Sequence, residues 1–371
     1  MVISAKELAA THPGARPGFS AVGDGGPIEA MFDAGLTDGL PVVPPTAELV
    51  AAMLRGGRWE PGDVLLHEPT RGIEVTAYQA AVSAVMAGAR PEYFPIVGTV
   101  LEAMSEPSFF LHGPTTSTGG ATIMVIVSGP IAADVGVHSR ENLFGPGFRA
   151  NATIGRTIRL VQMHCLAAVP GGLDKSTQGW PGKFSLCFAE DVDASPWQPL
   201  HVRRGFDADQ SVVTIFASES GHNVVNHGAA DAEPLLLTFA DTMAALGSFS
   251  PGRSVVVFAP EHARKIGASG MSAAAVQAFL YEHARRDLAT LKRTGKIEDA
   301  PDREGEWDGR WTPAGDQRLA DGDEEQWVRR GWSPDDILVL VGGGAAGGHS
   351  AFFPSWSRGR SVAFVSREVL L

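Results

Sequence analysis

Apolar runs and stretches with helical spacing alternate along most of the chain. Apolar runs bounded by polar or turn residues predict buried strands at 121–127, 211–216, 254–258 and 336–341, with shorter strands at 63–67 and 361–365. Between them, the pattern predicts helices at 76–86, 93–104, 153–166, 232–246 and 272–288. Strands that alternate with helices are typical of an α/β protein.

The order of these elements is similar in two parts of the chain. Residues 36–200 form the first predicted α/β half and residues 201–295 the second, with the strands of residues 335–371 closing the second half. A strand ends at Pro130 in the first half and at Pro260 in the second. We therefore predict two pseudo-repeated β-α-β-α halves packed as one large unit, although α/β proteins repeat such units without duplication. A cleft between related halves is a common place for a ligand.

Two segments depart from this pattern. Residues 1–35 are rich in glycine and proline, which predicts an extended N-terminal arm. Since a disordered linker lacks aromatic residues, we expect the acidic segment 296–334 to be an ordered excursion that packs against the body or a neighbouring subunit. It holds four of the eight tryptophans, namely Trp307, Trp311, Trp327 and Trp332.

Composition and charge narrow the classes of function. Hydrophobic residues make up 44% of the chain, which is enough for a substantial core. The net charge of −12 disfavours nucleic acid and anionic membranes, since both attract basic surfaces. The longest apolar stretch, 121–137, is interrupted by Asp134 and a Ser-Gly-Pro sequence, so no membrane span is predicted. No secretory signal is visible, so a cytoplasmic location is expected, with Cys165 and Cys187 as reduced, buried thiols.

The polar stretch 173–183 is a candidate site for nucleophilic catalysis. Lys175 lies beside Ser176, and a desolvated lysine can activate a serine by taking its proton. Adjacent residues of an extended chain point in opposite directions, however, so the two side chains need not meet. The alternative is a polar loop that contacts substrate.

Three segments are candidates for binding an anion. The loop 112–120 supplies the hydroxyl groups of Thr116 and Ser117. Arg156, near the start of a predicted helix, can hold a carboxylate with two hydrogen bonds, unless it is a surface residue near a simple cap. The third segment is the glycine-rich loop 342–348, in which Gly344 and Gly347, followed by His349, are the candidate anion-binding residues.

The same glycine-rich loop does not predict a nucleotide cofactor. Its spacing matches a dinucleotide fingerprint, but only 24 residues follow Gly347, too few for the rest of such a fold. No NAD, flavin or P-loop nucleotide is expected. A purely structural turn is the alternative to an anion site.

Histidines and one glutamate supply candidate acid–base groups. His222 and His227 share a polar loop, which suggests either a divalent metal site or a general acid–base role. Their spacing does not match a helical metal pair, and no HExxH motif is present. Glu68 ends the first short strand, and under the duplication its equivalent is Glu219. We therefore predict Glu68 and His227, together with Lys175 and Ser176, as catalytic residues.

Four short stretches resemble a large, poorly characterised bacterial family. They are DGLPVVPPT at 38–46, PEHA at 260–263, FLYEHA at 279–284 and GGHSAF at 347–352. Members of that family are associated with UGSC-type (selenocysteine or cysteine) domains. The resemblance implies redox or thiol chemistry with a small redox partner protein. Because this chain has no Cys-Gly-Ser-Cys sequence, the partner would have to supply that chemistry.

The sequence thus predicts an enzyme that acts on a small polar or anionic molecule by hydrolysis or elimination, in a cleft between two halves. Two alternatives stay open. One is a metal- or thiol-dependent oxidoreductase subunit that works with a partner redox domain. The other is a non-catalytic subunit that binds small molecules or serves as a scaffold. A homo-oligomer is expected in each case.

Overall fold

The computed structural model describes residues 26–250, 252–296, 317–357 and 359–371. Within them the chain has a mixed α/β fold, which confirms the predicted class. The helices are α1 (Gly26–Asp33), α2 (Ala47–Leu54), α3 (Ala77–Ala87), α4 (Phe94–Met104), α5 (His112–Thr116), α6 (Pro130–Asp134), α7 (Arg149–His164), α8 (Leu200–Arg203), α9 (Ala232–Met243), α10 (Pro260–Ala268), α11 (Ala273–His283) and α12 (Leu288–Arg293). None of these helices is both long and apolar enough to cross a bilayer.

The strands of the described residues belong to four sheets. They are β1 (Val64–Glu68), β2 (Ile73–Thr76), β3 (Thr122–Ser128), β4 (Cys187–Ala189), β5 (Val212–Ser218), β6 (His222–Val225), β7 (Ser254–Phe258), β8 (Arg285–Asp287), β9 (Trp327–Arg329), β10 (Ile337–Val341), β11 (His349–Pro354) and β12 (Val365–Glu368).

The chain divides into two compact units. The first contains the residues up to Glu190, together with His201–Ala217 and Phe364–Leu371, and the second contains Asp191–Leu200 and Ser218–Ala363. This grouping differs from the division predicted from the sequence, because most of β5 and all of β12 belong to the first unit. The proposed duplication stays a prediction.

The first unit is built on a sheet with the strand order β12-β5-β3-β4. Strands β3 and β4 are parallel, β12 and β5 are antiparallel, and every residue of β3 is buried. Helix α7 packs against β3 and β4 and against α3. Helix α3 begins at a capping box between Thr76 and Gln79 and ends at Gly88, whose φ of 82° is left-handed. Strands β1 and β2 form a separate antiparallel hairpin.

A glycine on α7 sets the spacing between this helix and the strand that follows the polar stretch. An added Cβ at Gly155 would lie 2.3 Å from Ser185 Oγ and 2.8 Å from the backbone nitrogen of Leu186. Any larger side chain would therefore push the helix away from residues 185–186. This close approach places Arg159, one turn further along α7, beside the loop that contains Ser176.

The second unit is built on a sheet with the order β10-β7-β11-β6. Strand β10 is parallel to β7, whereas β11 is antiparallel to both β7 and β6. Strands β6, β7 and β10 therefore run in one direction, and their carboxyl ends lie at the same edge of the sheet. Helices α9, α10 and α11 cover the apolar residues of these strands and form one core with them.

The segments predicted to depart from the α/β pattern lie partly outside the described residues. Of residues 1–35, those before Gly26 lie outside, and Gly26–Asp33 form a helix rather than an extended arm. Trp307 and Trp311 also lie outside the described residues. In the described part of the acidic segment, Trp327 belongs to β9, which pairs with β8. Arg330 is fully buried and donates to the carbonyl oxygens of Met243 and Ser248.

Candidate active site

A buried aspartate meets a partly buried serine and lysine in the first unit. The Nζ atom of Lys183 lies 2.6 Å from Ser176 Oγ and 2.8 Å from Asp174 Oδ2. Ser176 Oγ is also 2.7 Å from Asp174 Oδ1 and 2.8 Å from the carbonyl oxygen of Gly119, so its proton has two acceptors. A lysine amine in direct contact with a serine hydroxyl is the arrangement that general-base activation of serine requires.

Three neighbouring elements hold this cluster in place. Arg159 of α7 donates to Asp174 Oδ2 at 3.0 Å. The backbone nitrogen of Thr177 donates to the carbonyl oxygen of Thr118 at 2.8 Å, and Trp180 Nε1 donates to that of Gly120 at 2.9 Å. The predicted polar stretch 173–183 and the predicted anion loop 112–120 therefore lie side by side.

Burial and charge have opposite effects on the pKa values of Lys183 and Asp174. Burial lowers the pKa of the Lys183 ammonium, whose side chain is only 13% exposed, and the Asp174 carboxylate offsets part of that effect. Burial also acts to raise the pKa of Asp174, but hydrogen bonds from Lys183 and Ser176 outweigh it and bring the pKa to about 2. Asp174 is therefore ionised at neutral pH, and Lys183 loses its proton more readily than an exposed lysine.

The lysine beside the serine in sequence does not take part. Lys175 is exposed, and its Nζ atom donates to the carbonyl oxygen of Gly171 at 3.0 Å. The pairing of Lys175 with Ser176 is thus wrong, because adjacent side chains point apart while the turn at Pro181–Lys183 returns Lys183 to the serine. Lys183 and Asp174 both lie in the stretch that the sequence singled out, but their pairing with Ser176 depends on that turn.

The predicted anion-binding side chains of the first unit are occupied by the chain itself. Thr116 Oγ1 donates to the carbonyl oxygen of His112 at 3.0 Å, and Ser117 Oγ accepts from the backbone of Gly119 at 2.9 Å. Arg156 does bind a carboxylate with two hydrogen bonds, at 2.8 and 2.7 Å, but that carboxylate belongs to Asp38. Arg156 therefore anchors the proline-rich segment instead of a substrate.

Glu68 also has a local role. Its side chain is 1% exposed and accepts hydrogen bonds from Arg71 Nε at 2.8 Å and from the backbone nitrogen of Thr70 at 3.1 Å. Burial would raise the pKa of Glu68, yet these hydrogen bonds outweigh it and lower the pKa below its usual value. An ionised carboxylate with its oxygens satisfied closes the β1–β2 turn and is poorly suited to general acid–base work.

A second polar cluster lies in the second unit, at the edge where β6, β7 and β10 end. His227 follows β6 and His349 begins β11, and their ring centroids are 5.1 Å apart. The backbone nitrogen of Gly348 donates to His227 Nδ1 at 3.3 Å. An added Cβ at Gly348 would lie 2.6 Å from the carbonyl oxygen of Asn226, so only glycine permits this approach. His227 and His349 therefore both lie beside the glycine-rich loop.

His262 links the loop after β6 to the start of β11 through hydrogen bonds to Asn226 and Ser350. The carbonyl oxygen of Asn226 can only accept, so His262 Nε2 donates to it at 2.9 Å. His262 Nδ1 then accepts from Ser350 Oγ at 2.7 Å, and Ser350 Oγ accepts from the backbone nitrogen of Ala259 at 2.8 Å. Burial lowers the pKa of His262, which favours this neutral form. His262 and Ser350 are both buried, so they support the edge rather than face a ligand.

Two glycines of the loop, Gly343 and Gly347, adopt backbone conformations that favour glycine. Gly347 has a φ of 104°, and its neighbourhood includes Glu261, whose carboxylate accepts a backbone hydrogen bond from Gly347. The hydrogen bond from Lys265 and this backbone contact lower the pKa of Glu261. Gly344 lies three residues earlier in the same loop. One carboxylate of the chain thus already lies against the loop predicted to bind an anion.

His222 and His227 do not form a metal site. His222 begins β6 and pairs with Phe352, whereas His227 lies beyond the end of β6 beside His349, so the two histidines lie at opposite ends of the strand. His222 instead stacks on Phe352, with ring centroids 5.5 Å apart. In the part of the chain that the structure describes, no group of three or more His, Cys, Asp or Glu residues is arranged for a metal ion.

Comparisons with protein-family models, curated proteins and solved structures find no match to this chain. The resemblance to the UGSC-associated family stays a prediction.

Proposed function

We propose that the first unit is a hydrolase in which Ser176 is the nucleophile and Lys183 the general base. The observation that carries the proposal is the 2.6 Å contact between Lys183 Nζ and Ser176 Oγ inside a largely buried cluster. It agrees with the hydrolysis predicted from the sequence and replaces the predicted base, Lys175. Elimination, which the sequence left open, has less support because a nucleophile–base pair favours acyl transfer.

The reaction needs Lys183 in its neutral form. The amine takes the proton of Ser176 Oγ as that oxygen attacks the carbonyl carbon of an ester or amide. The resulting ammonium returns the proton to the departing alcohol or amine, which leaves an acyl-serine. A water molecule then attacks the acyl carbon, passes its proton through Lys183 and releases the carboxylic acid and free Ser176.

Asp174 has two effects on this chemistry. Its Oδ1 atom accepts from the backbone nitrogen of Ser176 at 3.0 Å, which fixes the position of the serine. Its charge also favours the ammonium form of Lys183, so Lys183 is protonated in the resting site. We infer that turnover depends on the fraction of Lys183 that burial leaves unprotonated.

A fluorophosphonate probe tests the proposal directly. Ser176 Oγ would displace fluoride from phosphorus, form a covalent Ser–O–P bond and give up its proton to Lys183. We expect labelling at Ser176 and a loss of at least about 100-fold in labelling rate in Lys183→Met, in line with the usual effect of a general base. Lys175→Met is the matched control and should label like the wild type.

Two results would contradict the proposal. One is labelling that persists after Ser176→Ala, which would place the reactive group elsewhere. The other is equal labelling of Lys183→Met and Lys175→Met, which would show that Lys183 is not the general base. Peptide mapping by mass spectrometry identifies the modified residue in each protein.

The rival redox function receives less support from this chain's own thiols. Cys165 and Cys187 are both free and buried. Burial raises the pKa of Cys165 to about 12 and raises that of Cys187 as well, so neither forms the reactive thiolate at neutral pH. A redox function would therefore need the partner protein. The homo-oligomer and the cytoplasmic location also stay part of the proposal.

A further inference from the structure

A small cavity adjoins the proposed active site in the first unit. It lies between α7 and residues 182–186, and Lys183 and Gly155 are among its lining residues. Its volume of about 10 Å³ corresponds to roughly one water-sized sphere, so it accepts a single oxygen atom and not a chain of atoms. Lys183 links this cavity to Ser176.

Polar side chains that line the cavity have unused hydrogen-bonding capacity. The hydroxyl of Thr122 is buried and has no partner among the described residues. The side-chain amide of Gln162, a residue only 6% exposed, makes no hydrogen bond within the described part of the chain. Arg159 donates through one Nη atom to Asp174, and its other nitrogens have no partner among the described residues. Burying the Thr122 hydroxyl without a partner is costly, which suggests that another molecule satisfies it.

The charge of the cavity favours an acceptor that carries a negative charge. In the resting site, where Lys183 is protonated, Lys183 and Arg159 share the single carboxylate of Asp174, which leaves an excess of one positive charge for an incoming ligand. The guanidinium, the amide NH₂ and the hydroxyl can all donate to an oxygen. A hydrogen bond from a guanidinium to a charged carboxylate oxygen is stronger than one to a neutral oxygen.

We propose that this cavity receives a carboxylate oxygen of the substrate. The substrate class is then a small ester or amide that also bears a free carboxylate, held by Arg159, Gln162 and Thr122 while Ser176 attacks the carbonyl carbon. This inference rests on the proposed hydrolase function. Its competing outcome is a cavity that holds only water.

Two esters of matched length separate these outcomes. Mono(4-nitrophenyl) succinate carries a terminal carboxylate, whereas 4-nitrophenyl butyrate ends in a methyl group. We expect kcat/KM for the succinate to exceed that for the butyrate by about 10- to 100-fold, the usual effect of a charge-assisted hydrogen bond. Gln162→Leu and Gln162→Glu should lower that ratio at least about tenfold, and Gln178→Leu, an exposed loop residue, should not change it.

The outcomes are distinguishable from failure of the hydrolase proposal. Equal hydrolysis of both esters would show a water site and overturn the inference while leaving the hydrolase intact. If the wild type hydrolyses neither ester and does not react with the fluorophosphonate, ligand-observed NMR with butyrate and butyramide tests carboxylate binding in the cavity independently of hydrolysis. Binding of butyrate but not butyramide, lost in Gln162→Glu, supports the carboxylate site, and binding of neither overturns it. Thermal unfolding of each variant checks that the fold persists.

Discussion

Replacing Asp174 by asparagine tests the buried charge cluster around Ser176. The change keeps the size of the side chain but removes the negative charge that faces Lys183 at 2.8 Å and Arg159 at 3.0 Å. Both cations then stay largely buried without a counter-ion. The variant should therefore be less stable than the wild type, and the loss should depend on pH.

The magnitude follows from the pKa of Asp174. A carboxyl whose pKa falls from its usual 3.8 to about 2 contributes about 2–3 kcal/mol to the free energy of unfolding at neutral pH, at about 1.4 kcal/mol per pKa unit. Removing one partner of a buried ion pair costs about 3–5 kcal/mol. Because the partners of Asp174 are 11% and 13% exposed, we expect a loss of about 2–4 kcal/mol.

The sign of the pH dependence is fixed by the direction of the shift. Since folding lowers the pKa of Asp174, its contribution is complete above the unfolded-state value near 3.8 and is lost as the pH falls through about 2. The wild type and the asparagine variant should therefore differ at pH 7 and converge between pH 4 and pH 2. Urea unfolding at several pH values measures this difference.

A matched control is available at the surface. Asp241 is 83% exposed and lies 3.8 Å from Arg286, so Asp241→Asn should change the free energy of unfolding by less than about 0.5 kcal/mol. A change at pH 7 as small for Asp174→Asn as for this control would contradict a stabilising role for the buried charge cluster. A difference that stays constant down to pH 2 would refute it as well.

Three further predictions concern other parts of the molecule. The labelling rate of Ser176 should rise with pH and reach half its maximum below the usual lysine range, measured as rate against pH, because burial lowers the pKa of Lys183. Gly348→Ala should lower the free energy of unfolding by about 1–3 kcal/mol, whereas Gly62→Ala, with open space around it, should change it little. Arg156→Ala should cost about 2–4 kcal/mol by leaving a buried carboxylate unpaired, and prior removal of that carboxylate should abolish most of the loss in a double-mutant cycle.

Local features of the fold could be predicted from the sequence with good accuracy. The apolar run at 254–258 coincides with β7, and the run at 336–341 coincides with β10 to within one residue. Such features depend on residues close together in the chain, whose periodicity is visible directly. The predicted helix 272–288 was too long, because the observed helix α11 ends at His283 and β8 begins two residues later.

Features that depend on distant residues could not be predicted. Arg156 binds Asp38 across 118 positions of sequence, and no local pattern marks that carboxylate as its partner. Ser176 meets Lys183 because a turn brings the chain back, so choosing between two nearby lysines required the backbone path. The sequence assigned β5 to the second half, but β5 lies between β12 and β3 in the sheet of the first unit. The order of strands in a sheet does not have to follow their order in the sequence.

The order of the strands has a consequence for synthesis on the ribosome. Strand β12 pairs with β5 through Val365–Ile215 to Glu368–Val212, yet nearly all residues of the second unit lie between these strands in sequence. While those residues are being translated, the β5 edge of the nascent first unit lacks its partner strand. An open strand edge is prone to pair with other chains. Slow elongation or ribosome stalling within the second unit should therefore increase the yield of aggregated nascent protein more than a stall after β12.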